Sequence, residues 1–151
     1  RGISLKQVAA EVIDFTRKHT LSKGVRYKPV LIGQNIPFDV GFLQQMMAYA
    51  GLQKEFAQVF AGMTDFYGNF QPHYLDTIDL ARFCLAADPQ VTSYKLELVA
   101  ERLGIELDDA HDADVTATRE VAALCSRRLR QNWDTDVSQQ RTPKTRDHFK
   151  I

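Results

Sequence analysis

Cysteine is scarce in this sequence, and several familiar catalytic motifs are missing. The 151 residues include two cysteines, Cys84 and Cys125, without the CxxC spacing of a redox or zinc site. The sequence has no Walker loop, no GxGxxG fingerprint and no serine in a nucleophile-elbow context. These absences argue against a P-loop enzyme, a dinucleotide-dependent dehydrogenase and a serine hydrolase. For the two cysteines, buried thiols in a reducing compartment are the simplest expectation.

Long hydrophobic runs and an excess of charge of one sign are also absent. Apolar residues make up 44% and charged residues 25% of the chain, as in ordinary globular proteins. The 19 basic and 19 acidic residues balance, which excludes a basic coat over the whole surface but not a local basic patch. No apolar run approaches the roughly 20 residues that span a bilayer. We therefore expect a soluble, cytoplasmic domain with no membrane partner.

The hydrophobic periodicity predicts a chain that is mainly helical. Helices are expected over 4–19, from Pro37 to a stop at Gly51, near 56–60, and over 77–87, 94–103 and 113–129. A short apolar run over 29–33 predicts a strand buried on both faces, and a second strand is expected over 73–75. Two strands are too few for an αβα layer. The pattern indicates the later, helical part of an α/β domain whose first strands are absent.

The two ends of the chain lead to two further expectations. The sequence begins at Arg1 rather than at a methionine, which is compatible with a lost upstream segment. Periodicity stops after Gln131, which predicts a domain over 1–130 followed by a polar tail over 131–151. Between Arg127 and Ile151 the tail region carries seven basic and three acidic residues, a net charge of +4 (7 − 3). Such a segment could contact phosphates, but a solvated tail explains it equally well.

The first candidate site follows the predicted strand over 29–33. Asp39 is expected in the first turn of the next helix, where ligands of open α/β sheets bind beyond the carboxyl ends of the strands. Asp39 could equally do no more than complement the positive end of that helix. Asn35 could likewise be only a helix cap.

The second candidate site is an acidic cluster before the helix over 113–129. Four aspartates and one histidine lie within seven residues, namely Asp108, Asp109, His111, Asp112 and Asp114. Clustered carboxylates repel one another unless a cation neutralises them, and oxygen ligands suit Mg²⁺ or Mn²⁺ better than zinc. The alternative is an acidic helix start that is simply solvated. A third candidate, Asp76, is most simply the cap of the helix over 77–87, with a role beside metal ions as the alternative.

Three segments in the same order resemble the DEDD 3′→5′ exonucleases, the superfamily of bacterial proofreading subunits and ribonuclease T. Residues 33–43 read GQNIPFDVGFL and resemble the second motif of that superfamily. Residues 75–82 read LDTIDLAR and resemble its Asp-Thr segment. Residues 110–118 read AHDADVTAT and resemble the third motif of the histidine-bearing DEDDh branch. The resemblance covers roughly residues 2–130.

This resemblance implies a ribonuclease H-like αβα fold and a two-metal mechanism. In that mechanism four carboxylates hold two Mg²⁺ or Mn²⁺ ions at the scissile phosphate. By resemblance, Asp39 and Asp114 are metal ligands, and His111 is the general base. Asp76 would stand beside the metal ligands.

The resemblance also implies the substrate and the partners. The substrate would be a single-stranded 3′ end of DNA or RNA, and the product a nucleoside monophosphate. Asn35, Phe38 and Phe42 would contact that substrate, although core packing is the expected fate of Phe42. A polymerase subunit as partner and a homo-oligomer are both compatible with the resemblance.

Two departures from the family pattern support a second hypothesis. The Asp-x-Glu of the first motif is not in this sequence, which predicts that the chain is inactive on its own. His111 and Asp114 are three residues apart, two fewer than in the family. A helix turns 100° per residue, so the shortening would move the base relative to the metal ligand. The second hypothesis is therefore a catalytically degenerate nucleic-acid-binding or scaffold domain of the same fold.

Overall fold

A computed structural model describes residues 2–21, 24–107 and 113–140 of the chain. The chain packs as two compact units, residues 1–79 and residues 80–151. The described residues form six α-helices and four short strands, which agrees with an α/β fold. None of these helices is both long and apolar enough to cross a membrane. The predicted division into a domain over 1–130 and a tail over 131–151 stays a prediction.

The first unit combines three helices with two small sheets. Its helices are α1 (Leu5–His19), α2 (Ile36–Ala50) and α3 (Gln53–Val59), with a 3₁₀ turn at Val25–Tyr27. Its strands are β1 (Leu31–Gly33), β2 (Gly62–Thr64), β3 (Phe70–Pro72) and β4 (Tyr74–Asp76). Strand β1 pairs with β4 in parallel, and β2 pairs with β3 as an antiparallel hairpin.

Helices α1 and α2 begin and end within one residue of the predicted positions, whereas α3 begins three residues earlier than predicted. Helix α1 is capped by Ser4, whose side chain accepts a hydrogen bond from the Gln7 N–H at 3.2 Å. Helix α2 ends at Gly51, which adopts φ +70°, a backbone conformation that glycine takes without steric cost. The helices pack around a core of buried residues, namely Ala9, Ile13, Met46, Met47, Phe56, Val59 and Phe60.

Strand β1 differs from the prediction of a strand buried on both faces. It is shorter than expected, and the side chain of Ile32 is 52% exposed. Successive side chains of a strand point to opposite faces, and β4 is the one strand that pairs with β1 in the described residues. Although the sequence of β1 is apolar throughout, the strand is therefore not buried on both faces in the core of this unit.

The hairpin β2–β3 is the element that the sequence did not reveal. The hydrophobic pattern predicts no regular element between the helix near 56–60 and the strand over 73–75, but the structure places two strands of three residues each there, joined by a turn. Strands of this length show no alternation that a pattern could detect. At the start of the hairpin, a side chain on Gly62 would collide with the backbone carbonyl of Gln71 and the ring of Phe70. Glycine is therefore required at this position.

The second unit contains most of α4 (Thr77–Cys84), together with α5 (Leu96–Arg102) and α6 (Ala113–Gln140). Helix α4 is shorter than the predicted 77–87, because the chain turns where the Asp88 N–H donates to the Leu85 carbonyl at 3.0 Å. Helix α6 continues to Gln140, so the first part of the predicted polar tail is helical. The core consists of Ala81, Leu85, Val99, Ala100, Leu103, Ile105, Val121 and Cys125.

Both cysteines are free thiols in the second unit, as the sequence predicts. Cys125 is buried and Cys84 is half-buried. Burial raises the pKa of the Cys125 thiol from its ordinary value of 9.0 to about 12, and the neighbouring Cys84 adds to the increase. The thiolate of Cys125 is therefore strongly disfavoured while the unit is folded.

The core of the first unit can be tested with a matched pair of methionines. Met47 is fully buried, whereas Met63 is 63% exposed. We expect Met47→Ala to lower the free energy of unfolding by about 2–5 kcal/mol through lost burial and a residual cavity. Met63→Ala is expected to change it by about 0.5 kcal/mol or less. Urea unfolding measures both, and equal effects would contradict this description of the core.

The Cys125 thiol predicts a specific loss of stability at high pH. Above pH 9 the unfolded chain releases a proton that the folded chain retains up to about pH 12, so stability falls as the pH rises through this range. At pH 10.5 the loss should reach about 1–2 kcal/mol. Cys125→Ala lacks this contribution, so its urea midpoint should fall less between pH 8 and pH 10.5. Identical pH profiles of the two proteins would refute the assignment.

Candidate active site

The candidate site lies at the carboxyl ends of the parallel strands β1 and β4. In the register of this pair Gly33 stands opposite Asp76, so both strands end at the same edge. Helix α2 starts three residues beyond Gly33, and α4 follows Asp76 directly. The edge therefore brings together the first two segments on which the resemblance rests, at the position where open α/β sheets bind ligands.

The carboxylate of Asp76 connects the two segments. Its Oδ1 accepts a hydrogen bond from the Ile78 N–H at 3.0 Å, which confirms the predicted cap of α4. The same oxygen accepts the backbone N–H of Asn35 at 3.1 Å. Sequence reasoning missed this second contact, which joins residues far apart in the chain. The available signal was that both positions follow predicted strands.

Asn35 adopts a left-handed backbone conformation, with φ 52° and ψ 38°. It occupies the N-cap position of α2, in agreement with the helix-cap alternative, but its side chain makes no capping hydrogen bond. Asparagine tolerates this conformation better than most residues, and such conformations cluster at functional sites. The backbone of Asn35 turns the chain from β1 into α2, and its amide side chain is not used for capping.

Asp39 lies in the first turn of α2 and is exposed to solvent. Its carboxylate has no hydrogen-bond or salt-bridge partner in the part of the chain that the structure describes. The positive end of the helix favours a negative charge at this position, in agreement with the alternative that Asp39 complements the helix dipole. This interaction does not occupy the carboxylate oxygens of Asp39.

Two aromatic side chains lie beside Asp39 on the same helix. Phe38 is 81% exposed and Phe42 is 57% exposed, so the expected core packing of Phe42 was wrong. Residues four apart on a helix share one face. The start of α2 therefore presents a carboxylate next to two exposed rings.

The third motif lies in the second unit and is described only in part. Asp114 is in the first turn of α6 and is exposed. His111, together with Asp108, Asp109 and Asp112, lies outside the described residues. The placement of the predicted base and of the second metal ligand relative to Asp39 therefore stays a prediction.

The described residues supply only some of the ligands of a metal site. Over residues 2–21, 24–107 and 113–140, no three His, Cys, Asp or Glu side chains are grouped so that they could hold a metal ion. Asp39 offers a carboxylate without a partner, whereas Oδ1 of Asp76 already accepts two N–H groups. Beside them, the buried amide oxygen of Gln34 has no hydrogen-bond partner. Carboxylate and amide oxygens are of the type that Mg²⁺ or Mn²⁺ prefers, but the described residues alone do not complete a site for such an ion.

The link through Asp76 predicts a loss of stability that depends on the acceptor oxygen. Asp76→Ala removes the acceptor of two backbone N–H groups and should lower the free energy of unfolding by about 1–3 kcal/mol. Asp76→Asn retains an oxygen acceptor and should cost less. Asp14→Ala, which alters an exposed aspartate on α1, is the matched control and should change stability by about 0.5 kcal/mol or less. Chemical denaturation compares the three variants, and equal effects of Asp76→Ala and Asp14→Ala would disprove the link.

Comparison with known proteins is consistent with this geometry. The RNase_T family model, described as "Exonuclease", matches residues 6–124 and so includes all three motif segments. DNA polymerase III PolC-type from Clostridium perfringens is 29% identical over 107 residues, which cover 70% of this chain and 6% of that protein. No solved structure matches the chain. Because the family match covers most of the sequence, the chain belongs to the exonuclease family.

Proposed function

We propose that this chain is a 3′→5′ exonuclease domain that hydrolyses phosphodiester bonds at single-stranded 3′ ends of DNA or RNA and releases nucleoside monophosphates. The observation that carries the proposal is the exposed carboxylate of Asp39 at the carboxyl edge of β1 and β4. It has no partner among the described residues, and it lies in a segment that the exonuclease family match includes.

The proposed catalytic residues come from the second and third motif segments. Asp39 and Asp114 would be ligands of two Mg²⁺ or Mn²⁺ ions, and His111 would accept the proton of the attacking water. When bound, such ions lower the pKa of water and neutralise charge on the phosphate. A histidine titrates near neutral pH and can therefore act as a general base there.

Asp76 and Asn35 would act on the substrate end in different ways. Asp76 would be a positioning residue, since its carboxylate holds the Asn35 N–H and so fixes the turn that leads to Asp39. The Asn35 side chain makes no capping bond, so its amide is available to a 3′-terminal nucleotide. Phe38 and Phe42 would stack on terminal bases, an interaction worth about 1–3 kcal/mol per base.

We further propose a polymerase as partner and the cytoplasm as compartment. The PolC-type relative is by its name a DNA polymerase III, and this chain spans only 6% of it. Two free cysteines suit a reducing compartment. A homo-oligomer remains compatible with the resemblance.

A catalytically degenerate nucleic-acid-binding or scaffold domain is the second candidate function. It is favoured by the three-residue spacing between His111 and Asp114 and by the incomplete ligand set among the described residues. Under this hypothesis the fold and its nucleic-acid affinity persist without bound metal. Asp39→Asn would then change neither metal response nor affinity.

The decisive experiment compares Asp39→Asn with Asp14→Asn, both exposed aspartates on helices of the first unit. We expect Mn²⁺ to raise the melting temperature of the wild-type chain and of Asp14→Asn, and to have no effect on Asp39→Asn. Labelled single-stranded DNA and RNA then test hydrolysis, and if the wild-type chain hydrolyses either of them, Asp39→Asn should reduce the rate at least 100-fold. A metal response that persists in Asp39→Asn would refute its role as a ligand. If the wild-type chain binds metal but does not hydrolyse the strands, the predicted inactivity of the isolated chain is confirmed. If it neither binds metal nor hydrolyses them, the degenerate domain is favoured.

A further inference from the structure

The turn of the hairpin β2–β3 presents two aromatic side chains to solvent. Phe66 is 97% exposed and Tyr67 is 84% exposed, and we call this pair the aromatic tip. Their rings meet edge to face, with centroids 5.5 Å apart. Neither ring is part of the core of the first unit. Packing therefore does not explain two adjacent exposed rings in one turn, and a contact with a ligand would.

Hydrogen bonds to Asp65 hold the backbone beneath the aromatic tip. The Asp65 Oδ1 accepts the backbone N–H groups of Tyr67 at 3.0 Å and Asn69 at 2.8 Å, and Oδ2 accepts the side-chain amide of Gln71 at 3.1 Å. These hydrogen bonds lower the pKa of Asp65 below its ordinary value of 3.8, and the bond from the Asn69 N–H contributes most. The turn is therefore ordered before any ligand binds, which reduces the entropy lost on binding.

A groove of about 600 Å³ runs beside the aromatic tip, between the hairpin and helices α2 and α3. Its wall is rich in amides, and Gln44 is fixed there by donating to the Phe70 carbonyl at 3.2 Å and to Gln71 Oε1 at 3.0 Å. Lys54 is the one charged residue among those that line the groove. The amides provide hydrogen-bond donors and Lys54 provides a positive charge, so the groove suits an anionic ligand with hydrogen-bonding groups.

The groove and the aromatic tip lie away from the candidate active site. The hairpin joins the sheet at the amino ends of β1 and β4, where the Leu31 N–H donates to the His73 carbonyl and the His73 N–H to the Ala61 carbonyl. Asp39 follows the carboxyl ends of the same strands. The hairpin and Asp39 are therefore attached to opposite ends of the parallel pair, and the groove reaches α2 at Gln44, five residues after Asp39.

We propose that the aromatic tip and the adjoining groove form a second binding site for single-stranded nucleic acid. Unpaired bases stack on Phe66 and Tyr67, and a backbone phosphate binds Lys54. Base stacking on aromatic side chains is insensitive to sequence and requires bases that are not paired. The ligand class rests on the proposed function, whereas the location does not. The site would hold a part of the strand distant from the end that is hydrolysed.

The test measures binding of the full chain to fluorescein-labelled dT12, U12 and a blunt 12-base-pair DNA duplex by fluorescence anisotropy, in EDTA so that hydrolysis does not interfere. The double variant Phe66→Ser/Tyr67→Ser should weaken binding to whichever single strand binds by at least tenfold. The exchange Phe66→Tyr/Tyr67→Phe keeps both rings and should stay within twofold of wild type. Phe83→Ser removes a ring that is 75% exposed in the second unit and is the matched control. Lys54→Gln should make the slope of single-strand affinity against salt concentration shallower, by the amount expected for the loss of about one phosphate contact.

Three results would overturn the proposal. The first is that neither single strand binds detectably. The second is that Phe66→Ser/Tyr67→Ser loses no more single-strand affinity than Phe83→Ser does. The third is that Phe66→Ser/Tyr67→Ser loses affinity equally for single strand and duplex. The first would assign the aromatic tip to a protein partner instead. Failure here is distinguishable from failure of the proposed function, because the Asp39→Asn comparison reads metal response and hydrolysis, and this test reads metal-independent binding. The circular dichroism spectrum of each variant verifies its fold.

Discussion

One carboxylate oxygen of Asp76 holds together the edge on which the proposed chemistry depends. It accepts one N–H from the start of α4 and another from the residue that turns β1 into α2. Without this shared acceptor, the left-handed conformation of Asn35 would have to be maintained by local preferences alone, which are weak. The position of Asp39 on α2 thus depends on a residue in a different motif segment. This dependence gives a physical reason for the Asp-Thr segment to accompany the second motif.

The parallel pair β1–β4 divides the first unit into two ends of different chemistry. At the carboxyl ends lie two exposed phenylalanines and the carboxylate of Asp39, which has no partner among the residues that the structure describes. At the amino ends lie the hairpin, an amide-lined groove and Lys54. Phosphodiester hydrolysis needs concentrated negative charge to hold metal ions, whereas retention of a polyanion needs positive charge and stacking surfaces. In the two proposals, Asp39 at the carboxyl ends would hold metal ions, and Lys54 with the aromatic tip at the amino ends would add further contacts to the strand.

Much of the fold follows from local sequence signals, and the parts that do not are the ones that depend on distant contacts. Ser4, Gly51 and Asp76 are each specified by a rule about helix ends, and the structure confirms all three. Ile32 is exposed because burial depends on neighbouring elements, which an apolar run does not report. Asn35 stands at the N-cap position without a side-chain capping bond, and its backbone N–H is held by Asp76, a contact between distant segments that no local rule reports. At the site, the sequence identifies Asp39 and its aromatic neighbours. The position of His111 depends on tertiary structure and cannot be predicted from its spacing to Asp114 alone.

The turn at Asp65 has a consequence for how the surface of the first unit fluctuates. Surface loops usually exchange their amide protons with solvent quickly, because those protons are bound to water. Here the N–H groups of Tyr67, Gly68 and Asn69 all donate to Asp65, through its carboxylate or its backbone carbonyl. The exposed rings of Phe66 and Tyr67 therefore belong to a turn in which these three protons exchange only when the turn itself opens. Hydrogen exchange would show this loop as a protected segment at the outer surface of the protein.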